Sequence, residues 1–574
     1  MRQTNTYDAW LERVEGFGTL LYPPDENQIL LRVDEREKLL QLVETLSSPR
    51  DGGEKPFFLV TVVANDEREL EDHCFKIYYV FSHAREDVFL IVEYLLSGEE
   101  YPSIAPHFPA VERFQAEMAD LMGLYPEGRR ERGWGEWLHT PPYPPGFHPL
   151  RRDVSLTELR RRMAEVGDRT PGPGRDVVWE PAEGHHILPV GPIHAGLIEP
   201  GRFLFEIGGE VIEKVRFRLG YTHKGVERLF QSAYTLVDGW RLAEQVTGDS
   251  SFAHSLAYTH AVETLFHVTV PEPAVWMRGI LLELERVYNH VTDMAALAHD
   301  VALDAYANEL ALQRERLLRL NEALTGNRFL RGVNRVGGVR LPRPPDADGL
   351  RSALGEVRAA VEPVIRTLSR LEGFRDRSVN IGVLTREDAL ALDVTGLVAR
   401  ASGVERDYRL NHPWGIYEDP ELRQMIRMSD ENVRAARLPQ ELHRGDVHAR
   451  FLVRAWEFLT STRIVDMLLE RWRREGVSGA AWLADVPPPD SAADYAFALG
   501  YAEGWRGDIV YWVMQDKLGS IYRCKVRDPS MLNWPALVRA LEPHEHQGRR
   551  LTTILPDFPL INKSFNLSYT GHDL

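Results

Sequence analysis

The chain holds 20 histidines and 85 acidic residues but only two cysteines, Cys74 and Cys524. Two thiols exclude a disulfide framework, an all-cysteine iron–sulfur site and a four-cysteine zinc site built by this chain alone, and each reads as a buried small apolar residue. His185-His186 has the look of a metal pair, yet neighbouring side chains on a strand point to opposite faces and do not share an ion. His254 stands in an alanine-rich helical pattern, where a helix-packing histidine is the commoner outcome. Glu285 and Arg286 are adjacent in a helical stretch and cannot face one another, so each must pair elsewhere. His223 and Lys224 fall at a turn or helix start, where a solvated or subunit-facing role stands beside a catalytic one. Asp557 and Asp573 are surface carboxylates or site residues with equal weight. Gly225, Gly403 and Gly507 are assigned to backbone need before any ligand role.

The elements that must position these groups belong to a long, acidic chain. At 574 residues, 44% hydrophobic and 27% charged, it can bury a sizeable core and divides into two or more domains. A formal charge of −17 repels phosphate backbones, so nucleic acid is not an expected partner. The longest apolar runs, 88–92 and 509–514, fall short of the ~20 residues needed to cross a bilayer. The start is polar, with Arg2 and Asp8, and shows neither a secretory nor a transit signal, so a cytoplasmic location is expected. Up to about Arg152, β-like stretches at 57–63, 76–81 and 88–94 mix with helical patterns at 35–46 and 110–121, an α+β arrangement. Pro/Gly-rich passages at 141–146 and at Pro171-Gly172-Pro173-Gly174 bracket an exposed connection, giving domains 1–153 and 179–574 with a linker at 154–178. Residues 203–218 predict a β-hairpin turning at Gly208-Gly209, with Val211, Val215 and Phe217 on one face. Beyond it, apolar residues at helical spacing over 250–266, 273–297, 303–323, 350–371 and 446–474 predict a mainly helical bundle, and 507–523 turns strand-like again around Leu518-Gly519. No internal repeat or low-complexity tract is visible.

Short motifs then carry a resemblance. In the first domain Glu112-Arg113-Phe114, Glu117-Met118, Asp120-Leu121-Met122-Gly123-Leu124 and the run from Pro144 to Asp153 resemble the 30-kDa subunit of complex I. In the second, Gly191-Pro192-Ile193-His194, Gly220-Tyr221-Thr222-His223-Lys224-Gly225-Val226-Glu227-Arg228 and Ser251-Phe252-Ala253-His254-Ser255 are similar to the 49-kDa subunit and to large subunits of membrane-bound hydrogenases. Glu283-Leu284-Glu285-Arg286, His412-Pro413-Trp414-Gly415, Arg506-Gly507-Asp508, Arg527-Asp528-Pro529-Ser530 and Asp557-Phe558-Pro559-Leu560 continue in the family's order. The fusion of both resembles the large subunit of hydrogenase-3 and hydrogenase-4 type complexes. It implies a small α/β domain followed by a helical bundle with peripheral hairpins.

The resemblance implies two Cys-x-x-Cys pairs that hold nickel and iron, because soft thiolates suit that centre. Their places here are Thr247 and Ser250, then Ser568 and Gly571, and Gln245 stands where hydrogenases usually carry an arginine. The chain stops at Leu574, so no processing tail is expected either. Hence no nickel–iron centre is expected, and no cofactor bound by this chain. What the resemblance leaves is a cavity for a quinone-like carrier beside an iron–sulfur cluster of a partner subunit, in a complex tied to quinone and NAD binding as NADH dehydrogenases are. The two headgroup partners of complex I fall on Ile198 or Glu199 and on Gly248, so neither is kept, whereas the carboxylate partner is present as Asp300. Together with His194, Glu199, Asp249, His254 and His290 it would form a polar relay, with Asp557 approaching the same cavity. Implied partners are a small iron–sulfur subunit, a ferredoxin-like subunit and integral antiporter-like membrane subunits, with the chain peripheral on the cytoplasmic side and redox coupled to ion transport. The alternatives are a catalytically silent scaffold and a nickel–iron hydrogenase with unusual ligands.

Overall fold

The computed structural model describes residues 4–49, 55–129, 146–166, 179–194, 198–475, 482–488, 491–546 and 548–574. Most of the Pro/Gly passage at 141–146, with Pro144 and Pro145, and the whole of 171–174 lie outside them. The first half of the expected connection is a helix, Leu156–Val166, whose Glu158, Arg161, Arg162 and Glu165 pair at three- and four-residue spacing.

The N-terminal unit is built on a five-stranded sheet in the order Thr19–Leu21, Gln28–Val33, Phe89–Leu96, Cys74–His83, Phe57–Glu67, with one parallel pairing between Gln28–Val33 and Phe89–Leu96. Every residue of Phe57–Glu67 is buried, because both sheet faces are covered. On one face sit the helices Arg36–Ser47 and Val111–Met122, through Leu39, Leu42, Val43, Phe114 and Met118. The other face, with Val60, Val63, Tyr78, Val80 and Ile91, packs on Leu499, Tyr501, Val510 and Trp512. These belong to an antiparallel sheet of Phe497–Glu503, Asp508–Gln515 and Ile521–Arg527. A bulge between Leu59 and Thr61 shifts the register of the first strand against its neighbour.

Buried ions cross the same junction. Lys525 reaches Glu117 at 2.5 Å and Glu227 at 3.0 Å, and Lys55 reaches Asp393 at 2.5 Å. Arg523 and Arg527 donate to the carbonyls of Ala64 and Val60. Removing one member of such a pair strands its partner, so the ions tie the two units to one relative placement.

The second unit follows the predicted helical periods. Helix Glu272–Asp300 packs against Asp304–Thr325 and Val447–Glu475, and Ala347–Leu368 completes the layer. Helix Ser251–Leu265 lies against strands Phe497–Glu503 and Asp508–Gln515. The expected hairpin is present as Arg202–Gly208 and Val211–Arg218, but it turns at Gly209-Glu210, one residue later than predicted, with Gly209 at φ +65°. A register shift between Ile212 and Lys214 breaks the alternation, so Ile212 and Val215 enter the core while Val211 and Phe217 are only half-buried. Among the described residues no helix is long and apolar enough to cross a membrane.

Candidate functional site

Four separate segments meet at the short last helix, Tyr569–Asp573. Ser568 starts it, its Oγ accepting from the Gly571 N–H at 2.9 Å, and its own N–H donates to Ser530 Oγ at 2.9 Å. Gly571 lies directly against Asp528: a Cβ there would sit 2.5 Å from the carboxylate carbon. Asp528 accepts from the Ser530 N–H at 2.8 Å and bonds His254 Nε2 at 3.2 Å, while His254 Nδ1 meets the Tyr511 hydroxyl at 3.0 Å. Burial favours the neutral acid, but the bonds from His254 and the charge of Arg506 outweigh it and hold Asp528 at about 2. His254 is thus fully buried and partnered at both ring nitrogens.

The segment Thr247 to Ser250 is joined to this helix by one guanidinium. Arg506, itself buried, grips Asp249 with two bonds of 2.6 and 3.1 Å, approaches Ser250 Oγ at 3.4 Å and donates to the Asn566 carbonyl. Trp505 and Asn289 donate to the Asp249 carbonyl at 3.0 and 2.7 Å. Immediately after it, helix Ser251–Leu265 begins without a side-chain cap of its own, and Glu285 from the neighbouring helix accepts the Phe252 and Ala253 N–H groups at 2.7 and 3.0 Å. Burial pushes the Glu285 carboxyl up to about 8 despite these bonds. Gly248 is exposed and faces Arg331, whose Nε donates to Ser251 Oγ at 2.9 Å.

The loop after strand His186–Val190 supplies the other wall. His194 Nδ1 lies 3.2 Å from the Pro192 carbonyl, which makes that nitrogen the donor in the neutral ring, and Nε2 then accepts from the Tyr569 hydroxyl at 3.2 Å. Glu199 accepts the Thr570 N–H at 3.0 Å. Gly201 has to be glycine for Tyr569 to seat, since a Cβ there would fall 2.2 Å from its ring. From the turn at 220–225, Thr222 donates to Asp573 through N–H and hydroxyl at 3.0 and 2.7 Å. Lys224 Nζ donates to the Gln245 and Val246 carbonyls at 2.8 and 3.0 Å. Burial lowers His223 and Lys224, and takes His572 to about 4 with help from Arg113, whose guanidinium lies 2.6 Å from its ring. Burial also raises Tyr569.

The structure therefore gathers His194, Glu199, Asp249 and His254 around one helix, together with Thr247, Ser250, Ser568 and Gly571, the positions the resemblance sets against metal ligands. Three other sequence candidates take their ionic partners outside this group, although the His290 ring lies 6.1 Å from that of Trp505, which bonds Asp249. Asp300 ends helix Glu272–Asp300 and pairs with Lys563, not with a histidine. His290 bonds Glu457 at 2.8 Å inside a buried ion cluster, and burial lowers it. Asp557 pairs with Arg377 at 3.2 Å. Sequence reasoning missed Tyr569, Asp528, Tyr511 and Arg506 as site residues. Arg506 and Asp528 were visible as motif members, and Tyr569 sits between Ser568 and Gly571, but none carries a local signal of its partner. Chemically the arrangement offers a phenol, an imidazole and carboxylates around one point, a set suited to hydrogen-bonding and protonating a small polar headgroup.

The comparisons with known proteins agree with this architecture. Residues 33–160 match the family described as respiratory-chain NADH dehydrogenase, 30 Kd subunit, and residues 304–499 match the 49 Kd subunit. Formate hydrogenlyase subunit 5 of Escherichia coli is 30% identical over 90% of this chain and 84% of its own length. Hydrogenase-4 component G of the same organism is 28% identical over 96% of this chain and 88% of its own. Among solved structures, a chain of the archaeal membrane-bound sulfane sulfur reductase superposes with a TM-score of 0.59 at 25% identity, covering 69% of this chain and all of that one. Relatives therefore include subunits of membrane-bound hydrogenases and of complex I-like assemblies. The chain belongs to the family of fused 30-kDa/49-kDa complex I-like subunits that includes formate hydrogenlyase subunit 5 and hydrogenase-4 component G.

Proposed function

We propose that this chain is the large subunit of a membrane-bound oxidoreductase in which the space beside Tyr569 receives a quinone-like carrier and no nickel–iron centre is held. The carrying observation is the hydrogen-bonded pair His194–Tyr569 at the point where the ligand-equivalent segments converge. Two electrons from an iron–sulfur cluster of a partner subunit and two protons turn a quinone into a quinol. Tyr569 gives its phenol proton to a carbonyl of the headgroup and regains one from His194, which takes it up from solvent at Nε2; a second round delivers the second proton. Glu199 and Lys224 flank the spot, each within electrostatic reach of the other. The chain lies peripherally against the membrane, docked on a small iron–sulfur subunit, and redox is coupled through membrane subunits to ion transport.

The donor set does not fit nickel and iron. Two hydroxyls in one segment and one in the other offer hard, neutral oxygens where the centre needs soft thiolates, and the place of any side chain at residue 571 is taken by the Asp528 carboxylate. A second reading, a silent scaffold, is favoured by the fact that His194, Glu199 and Asp573 are already bonded within the protein.

The test uses the intact complex from its membrane. Elemental analysis is expected to find no stoichiometric nickel, and quinone reduction is expected to fall at least about tenfold in Tyr569→Phe and in His194→Gln, each a lost positioned proton donor or acceptor. Polysulfide is assayed alongside, because the archaeal structural neighbour is a sulfane sulfur reductase. Stoichiometric nickel overturns the reading, and absence of reductase activity toward every quinone leaves the scaffold.

A further inference from the structure

A cleft of about 660 Å³ opens at the opposite end of helix Ser251–Leu265 from the site above. The helix is 15 residues long, so about 22 Å separates its two ends. No role assigned so far uses this cleft, and its volume falls within the ~300–1,000 Å³ of small-molecule sites. A loop of the N-terminal unit, residues 22–26, forms its rim, and its body is apolar and aromatic, with Leu256, Val275, Leu282 and Ile416 around a stack of Trp414 on His260. The two rings lie 3.9 Å apart with their planes at 15°.

Every charged side chain of the lining is already committed to the protein. Arg278 donates from each nitrogen, to Glu263, Asn334 and the carbonyls of Arg335 and Gly338. Arg409 likewise donates from each nitrogen, to Asp407 and Glu283. Glu263 accepts two of the Arg278 bonds and the Gly337 N–H, while Glu503 holds Arg400 at 2.9 Å and accepts the Tyr408 N–H at 3.0 Å. At the rim neither Asp25 nor Glu26 is without a partner. An ion entering here would lose hydration without gaining a counter-charge, or would break a pair already made, and both are costly.

Hydrogen bonding is not exhausted in the same way. His260 is tied to the Tyr501 backbone through Nδ1, at 3.2 Å from the carbonyl, and no described residue bonds its Nε2. Burial takes His260 down to about 4, so its ring is neutral at physiological pH and Nε2 offers a hydrogen bond without a charge. An amide or hydroxyl group satisfies either tautomer, since each can donate or accept.

We propose that this cleft is a binding site for an uncharged aromatic molecule bearing an amide-like or hydroxyl group, its ring against Trp414 and its polar group on His260 Nε2. The site is independent of the carrier reading and stands or falls separately.

The test is a saturation-transfer NMR titration of the full-length chain, and of the intact complex, with benzamide, benzamidine and benzoate. The three probes share one shape and differ in charge, and pH 8 lies above the histidine range and leaves each in its intended state. Benzamide is expected to bind with a Kd of about 1 mM, as suits so small a ligand, and each ion at least about fivefold more weakly. His260→Phe keeps the ring stack and removes Nε2, and should weaken benzamide about threefold or more. Thr269→Trp, at an exposed lining position, fills the cleft and should abolish binding. Each variant is scored only with circular dichroism matching wild type, and otherwise the wild-type probe series decides alone. Absence of benzamide binding, an ion that binds as tightly as benzamide, or affinity that either folded variant leaves unchanged overturns the proposal. Binding by the free chain but not by the complex also overturns it, because a partner's segment then fills the cleft.

Discussion

Replacing Gly571 by alanine tests whether a carboxylate has taken the place of a metal-ligand side chain. The new Cβ would lie 2.5 Å from Asp528 Cγ and 2.8 and 2.9 Å from its two oxygens, all inside contact distance. Asp528 cannot step aside freely, since it is fully buried and bonded to Ser530 N–H and His254. Overpacking of a filled interior costs about 1–3 kcal/mol, and weakening a bond to an ionised group costs about 1.5–3 kcal/mol. Against this, alanine gains about 1 kcal/mol over glycine within a helix. The net expectation is a loss of about 2–4 kcal/mol.

The assay is urea unfolding followed by tryptophan fluorescence, run as a double-mutant cycle with Asp528→Ala. With the carboxylate gone, Gly571→Ala should become neutral or mildly stabilising, so the cycle reports a coupling of about 3 kcal/mol between the two positions. A neutral Gly571→Ala in the wild-type background would refute the packing argument. So would an equal cost in both backgrounds, which would place the strain in the backbone and not in Asp528. The same contact predicts that cysteines installed at 247, 250, 568 and 571 together do not yield a nickel-binding protein unless Asp528 is also shortened, as elemental analysis of the refolded variant would show.

Two further outcomes follow from buried charges. Arg286 donates to Glu283, to Glu457 and to the carbonyls of Glu503 and Gly504 with no exposure to solvent, so Arg286→Leu leaves Glu283 with Arg409 alone as its cation, takes one of two guanidinium partners from Glu457 and strands two buried carbonyls, and should cost about 3–5 kcal/mol by urea unfolding; a loss below about 1 kcal/mol would contradict it. Glu285 has its folded carboxyl raised to about 8, so its contribution is fully present below the ordinary carboxylate range and is lost as pH rises toward 8. Relative to Glu285→Gln, the wild-type chain should therefore lose stability between pH 5 and 8, by at most about 1.4 kcal/mol per pH unit. A wild-type advantage that grows with pH would reverse the assignment.

Much of the fold was legible because it rests on local periodicity. Helix Glu272–Asp300 and helix Val447–Glu475 announce themselves by apolar spacing, and the turn at Leu518-Gly519 by its glycine, which takes φ +74°. The hairpin was placed correctly but turned one residue late, since a bulge beyond Ile212 has no signature in the sequence. The site was legible only in part, and the reason is range. Tyr569 finds His194 across 375 positions and Asp528 finds His254 across 274; no spacing rule reaches that far. Asp300 was singled out by family position, yet what decides its neighbour is Lys563 on a different helix.

The residues that sequence reasoning missed also account for how the site persists. On the proposed reading the thiolates are gone, and with them the ion that would bridge the first and last ligand segments in a metal-holding relative. Here Arg506 spans that gap, binding Asp249 and Ser250 on one side and the Asn566 carbonyl on the other. Asp528 bonds His254 and the Ser530 N–H and packs against Gly571. A guanidinium with a planar fork of donors and a carboxylate with two acceptors are directional, and when buried they tolerate little misalignment. Convergence of the segments, and with it the pairing of His194 with Tyr569, then depends on hydrogen bonds that protons can enter and leave. A convergence maintained in this way is more sensitive to Arg506 than to any one of Thr247, Ser250 and Ser568, whereas at Gly571 space and not bonding sets the constraint.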